Sequence, residues 1–238
     1  MAGMNFEMRT RLQVSLDHIG SEREPLLTID DALKQPEELV DYAAKQVRFE
    51  PAWGPSGGYP GIRAPAPLNY VERLVRGLSP MIERAFGLEQ VKLRKAECNF
   101  SLVTLSPEQL RPLQRVPHFD TVDPLQFAIL HYLCPPEMGG TAFFRHRATG
   151  FETITAERLP AFEAIRDGEL RQTPPSDYIT GDTAHYERTA IAEARFNRVV
   201  VYRSRTLHSG CIPADMGLSP EPRDGRLTAN IFLSYRQL

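Results

Sequence analysis

Cysteine is scarce in this sequence. Cys98, Cys134 and Cys211 are odd in number and widely spaced, and no Cys-x-x-Cys pair occurs. That pattern excludes a disulfide framework and suits reduced thiols in a cytosolic compartment. No apolar run approaches the length needed to cross a bilayer, and residues 1–10 mix Asn5, Glu7 and Arg9 with apolar residues, without a signal-peptide core. The chain is therefore read as cytoplasmic, with no membrane partner. Net charge is also lacking: 28 Lys and Arg against 30 Asp and Glu leave −2, which argues against a nucleic-acid or acidic-membrane binder. Internal repeats and low-complexity tracts are absent, and tryptophan occurs once, at Trp53.

What the 238 residues do contain in quantity is proline (20) and glycine (16), which implies many turns and few long helices. The expected fold is mainly β with supporting α, in one domain. Residues 11–17 alternate apolar and polar, the period of a half-buried strand, and 25–29 make a second short strand. Asp30 is placed to cap a helix running through 37–44, and Asn69 a second helix whose apolar stripe (Tyr70, Leu74, Leu78, Ile82) ends at Gly87. Between them, 49–67 carries five prolines and four glycines and reads as a long irregular loop. Its aromatics, Trp53 and Tyr59, either close a pocket or tuck into the core.

From residue 91 the pattern turns to β. Strands are expected over 92–104, 126–133, 141–144, 199–202 and 227–235, with a helix over 155–167 and loop over 174–183. Residues 186–194 alternate too weakly to decide between strand and helix.

The chemistry centres on Val116-Pro117-His118-Phe119-Asp120. In an extended segment, side chains two apart share a face, so His118 and Asp120 present a nitrogen and an oxygen together while Phe119 packs behind. A third ligand is offered by His208, directly after the strand-like run 199–202. Two histidines and one carboxylate form the facial triad that leaves coordination positions open on non-haem Fe(II).

Further motifs follow in order: Ile129-Leu130-His131-Tyr132-Leu133, Gly139-Gly140-Thr141-Ala142-Phe143-Phe144, Phe196-Asn197-Arg198-Val199-Val200-Val201-Tyr202, His208-Ser209-Gly210 and Gly225-Arg226-Leu227-Thr228. Their order and spacing resemble the prolyl-hydroxylase-like branch of the Fe(II)/2-oxoglutarate-dependent dioxygenases, over roughly residues 95–238. The resemblance implies a double-stranded β-helix (jelly roll) spanning 91–238, with an insertion around 147–195. Residues 1–90 would supply N-terminal strands and supporting helices. It also implies Fe(II), 2-oxoglutarate as co-substrate and O2, with His118, Asp120 and His208 as both the metal ligands and the catalytic centre. Family members that transfer halogen replace the carboxylate with a small residue, so Asp120 argues for hydroxylation or a related oxidation.

Within that resemblance the far carboxylate of 2-oxoglutarate needs a cation. Arg226, eighteen residues after His208, offers a planar fork suited to it, and Thr228 on the same strand face could donate a hydroxyl. The usual spacing is shorter, so 212–224 reads as an inserted loop. Tyr132 matches a co-substrate-binding tyrosine of relatives, with a core position as the alternative. His18, His131, His146 and His185 have no motif partner and are left out of the metal set.

The substrate is read only as a small molecule or a protein side chain. Arg145, Arg147, Arg203 and Arg205 either rim the mouth for an anionic substrate or are ordinary strand-end arginines. Oligomeric state is left open, a homodimer included. Two other readings stand beside the oxygenase: a non-catalytic jelly-roll binding protein, and a cupin-like metalloenzyme that does not use 2-oxoglutarate.

Overall fold

The computed structural model describes residues 4–54 and 57–238. Two antiparallel sheets dominate. Eight strands form the major sheet: β1 (Gln13–Ile19), β2 (Glu24–Asp30), β3 (Glu50–Gly54), β4 (Gly57–Pro65), β5 (Val91–Val103), β6 (Gln126–Tyr132), β9 (Arg198–Arg203) and β11 (Leu227–Gln237). Their spatial order is β1-β2-β9-β6-β11-β5-β4-β3. The minor sheet joins β7 (Thr141–His146), β8 (Tyr186–Ala192) and β10 (His208–Gly210) in the order β10-β7-β8. Three helices complete the set, α1 (Glu37–Lys45), α2 (Leu68–Ala85) and α3 (Leu159–Gln172). Among the described residues no helix is long and apolar enough to cross a membrane.

Strict alternation in the central strands gives the major sheet two buried faces. Phe127 and Ile129 on β6, Val199 and Val201 on β9, and Ala229, Ile231 and Leu233 on β11 pack with Leu39 of α1 and Tyr70, Leu74, Leu78 and Ile82 of α2. The residues between them, Ala128, Tyr132, Val200 and Tyr202, pack instead with Phe143 and Ala192 of the minor sheet. Each fully buried aliphatic or aromatic side chain contributes about 1.5–3 kcal/mol, so a one-residue slip that exchanged these faces would be prohibitive. The metal-site residues lie on the side facing the minor sheet.

Several boundaries differ from expectation for identifiable reasons. Residues 11–17 were expected to be half-buried, yet β1 pairs only with β2 at the sheet edge, leaving Val14 and Leu16 47% and 43% exposed. Asp30 does not cap α1: it accepts hydrogen bonds from Arg198 Nε and Nη2 at 2.6 and 3.0 Å, and Pro36 begins the helix without a side-chain cap. Asn69 lies inside the first turn of α2, which starts after Pro67. The helix expected at 155–167 is shifted toward its C-terminus, with Pro160 in its first turn, where a missing N–H costs nothing. The undecided stretch at 186–194 is strand β8, held by its pairing with β7.

The largest departure is at 49–67, where Glu50–Gly54 and Gly57–Pro65 are the paired strands β3 and β4 and not loop, residues 55–56 lying outside those described. Pro51 is tolerated because β3 is the outermost strand, while on β4 Pro60 falls in the irregular step of the β3 pairing and Pro65 lies beyond its end. Gly61 lets β4 close on β5: a Cβ there would come within 1.9 Å of the Leu102 carbonyl oxygen. This packing carries two side chains of the hairpin, Tyr59 and Arg63, into the interior of the fold.

Candidate metal centre

His118 and His208 are tied together by their own backbones. His118 N–H donates to the His208 carbonyl at 2.9 Å, and His208 N–H donates to that of His118 at 2.8 Å. His208 opens β10, which pairs with β7 through Phe143. Asp120 N–H donates to the Ser204 carbonyl at 2.8 Å, fixing the end of the His-x-Asp segment against the chain just before His208. Phe119 points the other way, into a cluster with Phe162 and Leu207, as an extended backbone requires.

The three side chains converge. Candidate ligand atoms of His118, Asp120 and His208 all lie within 4.8 Å of one another. Asp120 Oδ1 is 3.8 Å from His118 Nε2, and its Oδ2 is 3.9 Å from His208 Nε2. His208 Nδ1 is 2.8 Å from the Thr206 carbonyl, which accepts its proton and leaves the Nε2 lone pair facing the other two groups. Burial lowers His208 to about 4; desolvation, with a contribution from His208, lowers His118 to about 4 as well. Both rings are thus neutral at pH 7, the form that binds a metal. Burial raises the Asp120 carboxyl, offset in part by His118, Ser204 and Arg63 nearby. Asp120 Oδ2 is buried without any hydrogen-bond partner, an arrangement that is costly unless a cation supplies the missing contact. The donor set and the orphaned oxygen fit a divalent metal ion.

Arg226 lies at the start of β11, 4% exposed. Its Nε donates to the carbonyls of Met138 and Gly139 at 3.0 and 3.2 Å, and its Nη2 to that of Gly140 at 2.9 Å. The glycines make this cradle feasible: Gly139 has φ +77°, and a Cβ on Gly140 would come within 2.0 Å of the Ala192 carbonyl oxygen. No carboxylate pairs with this guanidinium among the described residues. A cavity of about 350 Å³ is bounded by Arg226, His118, Asp120, Arg63, Tyr59, Gln114 and Phe232.

Of the two proposed helpers of Arg226, Thr228 is turned along its own strand and Tyr132 takes the core position that was its alternative reading. Thr228 Oγ1 is 2.6 Å from Asn230 Oδ1, so its proton is committed along its own strand. Tyr132 is fully buried, with its hydroxyl 2.7 Å from Thr141 Oγ1 and its ring 5.9 Å beneath the Arg226 guanidinium. Tyr132 is therefore a core residue that backs the arginine, and Thr141 and Asn230 reach the cavity wall instead.

Of the two readings of the strand-end arginines, the rim does not form. Arg145 is bound to Glu152 and Glu187, Arg147 to Asp182, and Arg203 and Arg205 share Glu24. Each is paired with a carboxylate away from the site, and none lines the cavity beside His118 and Asp120. Trp53 also stays outside, packing with Val103, Leu105, Tyr178 and Ile212. Tyr59 does line the cavity, and its buried hydroxyl has no hydrogen-bond partner. Burial raises its pKa, opposed by Arg226 and Arg63 on either side. Arg63 was not anticipated, because a stretch read as loop gives no strand phase from which to infer an inward side chain.

Comparison with known proteins places these observations. A profile of DUF6445, a family of unknown function, matches residues 10–233. No curated protein matches the chain significantly. Among solved structures it is similar to the non-heme alpha ketoglutarate dependent epimerase SnoN from nogalamycin biosynthesis, with 15% identity and a TM-score of 0.49, covering 91% of this chain and 79% of that one. HygX from Streptomyces hygroscopicus, solved with nickel and 2-oxoglutarate bound, has 15% identity and a TM-score of 0.43 over 87% and 82%. An N-substituted L-amino acid dioxygenase from Burkholderia ambifaria AMMD has 9% identity and a TM-score of 0.41 over 94% of both chains. Likenesses this remote say nothing of this chain's own reaction.

Proposed function

Since this chain belongs to the DUF6445 family, whose function is unknown, its chemistry must be argued from its own site, and we propose that it is an Fe(II)- and 2-oxoglutarate-dependent oxygenase. The observation that carries this reading is Arg226: a buried guanidinium held by three main-chain carbonyls, without a carboxylate partner, in the same cavity as the His118–Asp120–His208 cluster. A buried cation held only by neutral dipoles is a site that a carboxylate completes. The pairing of such a site with an open metal triad fits a keto-diacid that binds the ion at one end and the arginine at the other.

In this reading His118, Asp120 and His208 hold the ion on three sides and leave the cavity side free. The Thr206 carbonyl keeps His208 in the tautomer that ligates through Nε2. The cradle at 138–140 aims the free edge of Arg226 into the cavity, and Tyr132 prevents the guanidinium from retreating. Fe(II) held there would, with 2-oxoglutarate and O2, supply the oxidising power to hydroxylate a substrate C–H bond, one oxygen atom going to the substrate and one to the succinate that forms with CO2. The apolar walls at Val103, Leu113, Ile212 and Phe232 keep that chemistry away from bulk water. The two-sheet architecture is compatible with a double-stranded β-helix around the site.

The test is anaerobic addition of Fe(II) and 2-oxoglutarate, followed by visible absorption and then by succinate release on admitting O2. The expected result is a weak metal-to-ligand charge-transfer band that Asp120→Ala abolishes or shifts. Arg226→Gln should weaken 2-oxoglutarate binding roughly 10- to 100-fold, the value of a charge-assisted pair. Metal uptake with no band would favour a cupin-like enzyme, and no metal uptake a binding protein; either result overturns the proposal.

A further inference from the structure

Arg63 is the second unpaired cation of this cavity. Its Nε donates to Ser101 Oγ at 3.1 Å, and its guanidinium carbon lies 4.5 Å from the centre of the Tyr59 ring. Among the described residues its two terminal nitrogens meet no protein acceptor. Arg63 lies over the Tyr59 ring and lines the cavity, and its fork of donors suits a bidentate carboxylate. Several other arginines of this chain have carboxylate partners, as the pairs with Asp30, Glu24, Asp41 and Glu152 illustrate.

Charge balance says what is missing. With neutral histidines, Arg63 and Arg226 against Asp120 leave one excess positive charge in the cavity. A divalent metal ion and a dianionic keto acid cancel each other and leave that excess in place. Both carboxylates of the keto acid already have cations, the metal at one end and Arg226 at the other. Tyr59, with Arg63 over its ring, lines the same cavity as Arg226. Beyond Arg63 the wall is apolar, made by Leu113, Val103, Ile212 and Phe232.

We propose that Arg63 anchors a carboxylate of the primary substrate, which is a monocarboxylic acid with an apolar body lying along Leu113, Ile212 and Phe232. This inference rests on the oxygenase reading, since it takes 2-oxoglutarate to occupy Arg226. The substrate is thereby held at its charged end, with its carbon chain directed past His118 and Asp120.

The test uses intact protein loaded with Ni(II), which does not turn over, and saturating 2-oxoglutarate. Butanoate, hexanoate, octanoate and decanoate are titrated calorimetrically beside their primary amides. At least one acid should bind roughly 10- to 100-fold tighter than its amide, and Arg63→Gln should remove that preference. Arg63→Lys, which keeps the charge without the fork, should retain part of it. Acids that bind no better than amides, or an Arg63→Gln variant that keeps the preference, would overturn the inference. So would displacement of 2-oxoglutarate by the acids, or a primary loss of 2-oxoglutarate affinity in Arg63→Gln, since either would assign Arg63 to the co-substrate. The comparison of acid with amide in the wild type decides the matter even if a variant misfolds. Failure of Ni(II) and 2-oxoglutarate to load would be seen before any acid is added and would sink the oxygenase reading instead.

Discussion

Acid should unfold this protein partly through a histidine that takes no part in the site. His131 is fully buried on the helix-facing side of β6, its Nδ1 3.0 Å from the Tyr70 hydroxyl and its Nε2 3.1 Å from Asn197 Oδ1. The Asn197 oxygen also accepts from Leu33 N–H at 2.9 Å, so it must take the proton of Nε2, and Nδ1 accepts from Tyr70. That network is complete with a neutral ring, and burial lowers the imidazole from 6.5 to about 4. A histidine whose folded pKa is lowered favours the folded state above its unfolded pKa. That stability is lost as pH falls from 6.5 toward 4, because the unfolded chain then binds the proton first. At 1.36 kcal/mol per pKa unit the loss comes to ~3 kcal/mol, a substantial part of the ~5–15 kcal/mol that holds a typical domain. His131→Gln removes the titration while keeping a donor for Asn197. Urea unfolding of both proteins at pH 7 and pH 4 gives a double difference in which His118, His208 and the carboxylates cancel. The wild type should lose ~3 kcal/mol more than the variant over that interval. A double difference below ~1 kcal/mol, or a His131 ring proton titrating near its ordinary value in the native protein, would refute the argument.

Two other perturbations probe the frame of the site. Gly140→Ala puts a Cβ against the Ala192 carbonyl and disturbs the oxygen that holds Arg226 Nη2, so thermal unfolding should register a loss of about 1–3 kcal/mol and 2-oxoglutarate binding should weaken with it. Unchanged stability would mean that β7 and β8 separate without cost. Glu152 is buried and accepts from Ser21 N–H, Glu22 N–H and Arg145, tying the β1–β2 turn to the body of the protein. Glu152→Ala should cost about 3–5 kcal/mol by denaturant unfolding, because it leaves those donors and a cation without their partner. Although burial alone would raise the Glu152 carboxyl, these donors together hold it below its ordinary value, so its contribution is present at neutral pH and lost in acid.

Much of the frame is legible in the chain. The strands β6 and β9 are legible as near-continuous apolar runs because both of their faces are covered, and β11 as an alternating one because its second face carries Thr228, Asn230 and Ser234. The α2 stripe is legible for the same reason, and Gly87, at φ +61°, marks the end of that helix as expected. Edge elements are less readable. In β1 the alternating residues 13–17 stay exposed, and in β3 an edge position and in β4 gaps in its pairing admit the prolines that elsewhere signal a loop.

For the site itself, local sequence determined the ligand types and their spacing: His118 and Asp120 two residues apart on an extended backbone, and His208 following a buried strand. Spacing of that kind is a property of the backbone and needs no knowledge of neighbours. Which cations serve the cavity was decided only by tertiary structure. Five arginines were open to a functional reading or to none, and Arg63 was not among them; what separates all six is whether a carboxylate stands opposite. Arg145, Arg147, Arg203 and Arg205 meet one, whereas Arg63 and Arg226 meet dipoles and open space. Charge compensation depends on groups distant in the chain, as Arg205 and Glu24 are, and no local pattern encodes it.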